Sequence, residues 1–253
     1  MHSSEDSTGS PPGSPPGSPP GGAVLAGARP SPNIWHHPAV YELENRAFDR
    51  AGVLLETMRS LSSWHGRDVL DIGCGTGFHL PVFAADARSV TGLEPHAALA
   101  AIARRRSRRL GDVTVLEGLA DALPLPYASI DVVHARWAYF FGPGCEPGLA
   151  ELDRVVRPGG RAFVIDNDPT RSTFGSWFAR GFPSVDPRAV EDFWRQRGWD
   201  RVRLDLAWDF ASRADLEQVV RIELPGPVAD EVLAGHEGLL HVDYAVNLWT
   251  RVF

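Results

Sequence analysis

Residues 69–77 read VLDIGCGTG, an apolar run that empties into a loop with glycine at 73, 75 and 77. An apolar run of this length is the pattern of a strand buried on both faces. Glycine at alternate positions removes the side chains that would keep a ligand away from the backbone. Helical spacing resumes from about Phe78, so the loop is the turn of a strand–turn–helix unit. A unit of this kind commits the chain to an α/β fold with a ligand at the carboxyl end of its first strand.

The rest of the chain repeats that rhythm. DVLDIG, SVTGLE, VTVLEG, IDVVHA and RAFVID alternate with helical patterns, and VRLDLAW and YAVNLWTRVF add two β-rich segments near the end. The expectation is a doubly wound, mostly parallel, seven-stranded Rossmann-like sheet with helices on both faces. Ahead of it, apolar residues at Val40, Leu43, Ala47, Ala51, Leu54 and Met58 predict one leading helix over 38–60. Pro158 and the two glycines after it predict the stop of the helix that precedes RAFVID. Asp186 and Pro187 predict an N-cap and first-turn proline. Residues 9–21, GSPPGSPPGSPPG, repeat every fourth position where collagen needs every third. Residues 1–32 therefore read as a disordered tail, and 33–253 as one domain.

The glycine loop narrows the ligand. A dinucleotide fingerprint needs its third glycine where this chain has Phe78, whose ring would obstruct both packing and pyrophosphate approach. Asp71 just ahead of the loop suits an ammonium group rather than a phosphate. Glu94 ends the second strand about twenty residues on, where a carboxylate accepts from both ribose hydroxyls. A ribose, an amino acid end and no phosphate describe S-adenosyl-L-methionine, with S-adenosyl-L-homocysteine as the demethylated product.

With 32 acidic against 25 basic residues the net charge is −7, so the chain lacks the positive field that gathers nucleic acid or an anionic membrane. The five arginines between 104 and 109 read as a solvated helix face. The two cysteines, Cys74 and Cys145, are far apart and supply neither a disulfide framework nor a metal site. A cytoplasmic enzyme with a small-molecule partner, as monomer or homodimer, is the expectation.

Residues 69–168 resemble, in four ordered blocks, the class I S-adenosylmethionine-dependent methyltransferases of the small-molecule branch called type 11. The blocks are VLDIGCGTG, VTGLEP, EGLADALPLPYASIDVV and LAELDRVVRPGGRAFVID. The resemblance implies that Asp71 and the backbone of Gly73, Cys74, Gly75, Thr76 and Gly77 hold the methionine moiety, and Glu94 the ribose. Pro95 and His96 would flank the adenine, with Leu119 and Ala120 at its edge. The family usually has an acidic residue at position 119; here Asp121, two residues on, is the substitute. It also implies that residues 33–62 form a helical lid, with Trp35 and Tyr41 against the cofactor, and that residues 170–187 shape the acceptor pocket.

For the acceptor, His134 and Asp166 are the candidate bases, and His134 also sits beside the cofactor. Trp35, His36, His37, Trp137, Tyr139, Asn167 and Trp177 are the candidate pocket residues. The Asn/Asp-Pro-Pro-aromatic tetrapeptide typical of nucleic-acid base methylation does not follow the fourth strand, so a base substrate is disfavoured. The function implied is methyl transfer to oxygen, nitrogen or carbon of a small molecule, with specialised metabolism as one setting. A peptide or protein methyltransferase and a non-catalytic partner subunit are the alternatives.

Overall fold

The computed structural model describes residues 23–253. Three helices, α1 (Pro32–His36), α2 (Pro38–Ala47) and α3 (Val53–Leu61), precede β1 (Asp68–Ile72). The chain then runs through α4 (Leu80–Ala84), β2 (Ser89–Glu94), α5 (Ala97–Ser107), β3 (Val113–Glu117) and β4 (Ile130–Arg136). Next come α6 (Glu146–Val155), β5 (Val156–Asn167), α7 (Thr173–Gly181) and α8 (Pro187–Gln196). β6 (Asp200–Asp209), α9 (Arg213–Glu223), α10 (Gly226–Gly235) and β7 (His241–Val252) complete it.

The seven strands form one sheet in the order β3-β2-β1-β4-β5-β7-β6. The first five are parallel, and β7 inserts antiparallel between β5 and β6. Strand order reverses between β1 and β4, which opens a crevice above their carboxyl ends. Val69, Leu70 and Ile72 of β1 and Val132, Val133 and Ala135 of β4 are buried, as parallel strands covered on both faces must be. One face packs against Met58, Trp64 and Phe83, the other against Leu152, Val155 and Trp194.

The leading segment departs from the single helix its spacing predicts. It breaks at Phe48–Gly52, where Asp49 and Gly52 take left-handed backbone with φ 49° and 76°. The Asp49 carboxylate accepts from the amides of Val53 and Leu54 at 2.9 and 2.8 Å, restarting the chain as α3, while Phe48 bridges to Trp208 of β6. Tertiary pairing thus interrupts a continuous apolar stripe. The stop before the fifth strand also moves: α6 ends at Val155, and β5 already begins at Val156. Arg157 stands before Pro158, a position that disfavours helix, and its guanidinium pairs with Asp68 and Asp131.

Residues 23–32 of the expected tail are described, and they pack against the domain. Residues 1–22 lie outside the described residues, but the stretch from Ala23 is built onto the start of α5: the Leu25 amide donates to the Pro95 carbonyl at 3.1 Å and the Ala97 amide to Ala23 at 3.0 Å. The Asp186 cap forms as its sequence demands, accepting from the amides of Arg188 and Ala189. Within the expected insertion, Ser172 caps α7 by accepting from the Gly175 amide at 3.0 Å. Among the described residues no helix is long and apolar enough to cross a membrane.

Candidate active site

β1 delivers Asp71 and the glycine loop to the crevice. Gly73 and Gly75 both have positive φ, 69° and 55°, and a Cβ on either would lie 2.4 Å from the Ala138 methyl or 2.6 Å from Ile34. No other residue fits there. The loop is tied to β2 through Glu94, whose Oε2 accepts from the Gly75 amide at 2.9 Å and whose Oε1 accepts from His96 at 3.0 Å. Burial pushes the Glu94 carboxyl up to about 7, against the pull of those two amides.

Asp71 is 2% exposed. Its Oδ1 takes the Nδ1 hydrogen of His134 at 2.7 Å, and its Oδ2 is buried without a donor. A buried carboxylate oxygen without a partner is costly, so Oδ2 fits a cationic ligand group entering from the crevice. His134 is itself 1% exposed and packs against the rings of His79 and Phe83.

A narrow slot of about 120 Å³ runs over this floor. Asp71, Gly73, Cys74, Gly75 and Thr76 line one end, and Glu94, Pro95 and His134 follow. Leu119, Ala120 and Asp121 border the other side, and Trp35, Tyr41, Trp137 and Tyr139 roof it. Gly27–Ser31 of the leading strap close it further, with Arg29 donating to the Gly144 carbonyl at 2.7 Å and lying over the Tyr139 ring. Trp137 and Tyr139 both have left-handed backbone, φ 50° and 53°, a strained loop of the sort found at binding sites. Burial pushes the Cys74 thiol well up, which keeps it an inert packing group.

A second and roomier cavity, about 400 Å³, lies beside the slot and shares Pro30, Ser31, Tyr41, Trp137 and Phe141 with it. Asp166 and Asn167 line this cavity, not the slot. Asp166 accepts from Asn247 at 2.9 Å and from the Trp249 indole at 3.1 Å, and burial pushes its carboxyl up to about 7. Asn167 accepts from the Tyr244 hydroxyl at 2.7 Å.

Five expected site residues fall elsewhere. Trp177 is sealed in the core against His236, because α7 turns that face toward α10. His36 and His37 line neither cavity; they straddle the α1–α2 junction, where Pro38 restarts the helix. Gly77 packs under α5 against Ala103, so its conformation serves the turn and not the ligand. His96 does not line the slot either: it contributes its amide to Glu94, and its ring packs 5.6 Å from the centroid of Trp35.

Three residues absent from the expected site hold it together. Glu42 of the lid accepts from the Thr76 hydroxyl and forms a two-pronged pair with Arg106, at 3.0 and 2.8 Å. That guanidinium belongs to the arginine run read as a solvated face. Arg136 donates to Asn45 of the lid and stacks 4.4 Å above the Trp137 ring. Both arginines pin α2 onto the crevice.

These residues fit S-adenosylmethionine by its chemistry: a free buried acceptor for an ammonium, and a carboxylate beside a glycine cradle for a ribose. Comparison with known proteins agrees. The family model described as "Methyltransferase domain" matches residues 70–164. A probable S-adenosylmethionine-dependent methyltransferase from Mycolicibacterium smegmatis is 37% identical over 131 residues, 52% of this chain and 48% of that protein. The chain thus spans about half the length of that relative. A demethylmenaquinone methyltransferase from Lactococcus lactis is 28% identical over 172 residues, covering 66% of this chain and 68% of that one. In fold, the YcgJ protein from Bacillus subtilis superposes with a TM-score of 0.58 at 17% identity, over 78% of this chain and 97% of that one. Loop, acidic strand end, sheet order and family match converge: residues 70–164 match a methyltransferase domain, and the chain resembles the class I S-adenosylmethionine-dependent methyltransferases of the type 11 branch.

Proposed function

We propose that this chain transfers a methyl group from S-adenosylmethionine to a small-molecule acceptor bound in the larger cavity. The single observation that carries the reading is the wall shared by slot and cavity, built from Tyr41, Trp137 and Phe141. A donor in the slot and an acceptor in the cavity would lie on the two sides of those shared residues, and an in-line displacement needs the two aligned and screened from water. The cofactor supplies an electrophilic methyl on a sulfonium. Asp71 Oδ2 holds the ammonium end, Glu94 the ribose hydroxyls, and Leu119, Ala120 and Asp121 the adenine edge. The lid pins, Glu42–Arg106 and Asn45–Arg136, keep the roof shut over the reacting atoms.

His134 holds Asp71 in place in this reading, and it stands apart from the acceptor cavity, which it does not line. Asp166 lies in the acceptor cavity, with a carboxyl poised to exchange a proton near neutrality. The small-molecule class is supported by the Lactococcus lactis relative, which is named for demethylmenaquinone. A reducing cytoplasmic setting is part of the proposal, consistent with Cys74 and Cys145 as free buried thiols.

Calorimetric titration with S-adenosylhomocysteine, with NAD as control, tests the donor half. Selective micromolar binding is expected; equal binding of NAD would remove the reading. Transfer of label from S-adenosylmethionine into a protease-resistant, low-mass product of cell extract tests the acceptor half, and label confined to protein would favour a protein substrate.

A further inference from the structure

The larger cavity has a chemical bias that its apolar walls do not explain. Its unsatisfied polar atoms are mainly acceptors. Asn247, 5% exposed, lines the cavity and has its amide nitrogen committed to Asp166 and to the Asn167 carbonyl at 2.9 and 3.2 Å, which leaves Oδ1 buried at the wall without a donor. Asp168 spends Oδ1 on the Thr170 amide at 3.0 Å, while Oδ2 has only Arg203, 3.5 Å away. Glu223 accepts from Asn33 at 2.8 Å and is backed by Glu44, 1% exposed, neither of whose oxygens has a donor. The cation on the wall, Arg201, is turned to Glu191 at 2.5 Å. Trp137 adds one unpaired indole N–H on the shared wall.

We propose that this cavity takes an apolar small molecule carrying a protonatable amine, with the nitrogen against Glu223 and a further donor facing Asn247. The proposal rests on reading the cavity as the acceptor site and narrows that site to one substrate class. An ammonium supplies the donors that these acceptors lack, and adds to the positive charge that Arg136 already brings to Glu44 and Glu223. Phe141, Phe178 and Phe182 supply aromatic walls for the apolar body of such a ligand.

The position of the carboxylates suits the chemistry. Tyr41 lies on the wall between slot and cavity, and its phenol is held well above its ordinary value by burial, then by Glu44, with Glu223 and Glu94 adding and Arg136 opposing. Acids of both sites thus act on one side chain at their junction, where the transferable methyl belongs. Burial also pushes the Glu44 carboxyl well above its ordinary value, with Glu223 adding and Arg136 opposing. An ammonium that yields its proton to Glu223 frees a lone pair. The nitrogen–carbon bond then forms as the carbon–sulfur bond breaks, and the positive charge passes from sulfur to nitrogen.

The test is a ladder of isosteric probes titrated into the full chain, with and without saturating S-adenosylhomocysteine: 2-phenylethylamine, 2-phenylethanol and 3-phenylpropionate. The amine is expected to bind at least about tenfold tighter than either of the others. Glu223→Gln, which mimics the protonated acid, is expected to cut that preference below about threefold and to leave S-adenosylhomocysteine affinity unchanged. The ladder on the unmodified chain decides by itself if the variant does not fold. Binding of S-adenosylhomocysteine without amine preference overturns the amine site and leaves the methyltransferase reading standing; no amine preference means equal affinity, preference for the carboxylate, or no probe bound. Amine preference without S-adenosylhomocysteine binding supports the amine site and overturns the methyltransferase reading.

Discussion

His134 Nδ1 lies 2.7 Å from Asp71 Oδ1, between residues that face each other directly in the parallel register of β4 and β1. A carboxylate only accepts, so the imidazole donates, and the pair leaves Asp71 Oδ2 as the open acceptor of the cofactor slot. The contact sits at the sheet's switch point, where strand order reverses.

His134→Leu, which removes the donor, is therefore expected to act on binding. Losing the donor that orients Asp71 should weaken S-adenosylhomocysteine by about 1–3 kcal/mol, the range for a hydrogen bond to a charged group. The shape of the kcat pH profile should stay the same in the variant. A profile that loses its ascending limb would instead make His134 a general base.

Glu94 gives a pH signature to cofactor binding. Ribose hydroxyls need the ionised carboxylate as acceptor, and burial holds the free protein's carboxyl at about 7. Affinity for S-adenosylhomocysteine should rise with pH through that value, approaching tenfold per pH unit below it. Glu94→Gln should flatten the rise, and Glu94→Ala should weaken binding by about 1–3 kcal/mol. Unchanged affinity in both variants would take Glu94 out of the site.

Asp166 links the larger cavity to stability. Its carboxyl is raised from 3.8 to about 7 by burial, so the folded chain holds a proton that the unfolded chain has released. The associated stability is fully present below the unfolded value and lost as pH rises through the folded one. Thermal melts of wild type and Asp166→Asn should thus differ in pH dependence: the wild type should lose ground to the variant between about pH 4 and 7, by no more than about 4 kcal/mol. A difference that stays constant with pH would mean that Asp166 titrates normally.

Trp177 separates core from pocket. It is 2% exposed and packs on α10, so Trp177→Ala should destabilise the fold by about 3–5 kcal/mol. Cofactor and probe affinities, measured where the variant is folded, should be unchanged. A selective loss of probe binding would return Trp177 to the acceptor site.

How much of this was readable in advance depends on the range of the interaction. The strands, the glycine loop and the Asp186 cap follow from periodicity and local backbone chemistry, which act over a few residues. Asp71 and Glu94 were readable because a strand end places its side chain at the crevice whatever packs elsewhere. Trp177 and Trp137 show the limit: both are aromatic residues in segments flanking the site, and only the packing of α7 on α10 sends one to the core while the β4 loop sends the other to the shared wall. The same holds for Arg106, which looks like one more exposed arginine until Glu42 of the lid meets it. The break at Phe48–Gly52 arises because Phe48 pairs with Trp208, a partner 160 positions away. The sequence alone determined the fold class, the cofactor loop and its acidic partners, because those depend on local pattern. The contacts that pin α2 and the larger cavity with the polar groups buried at its wall were decided by tertiary structure, because they join side chains that only the folded sheet and its flanking helices bring within reach.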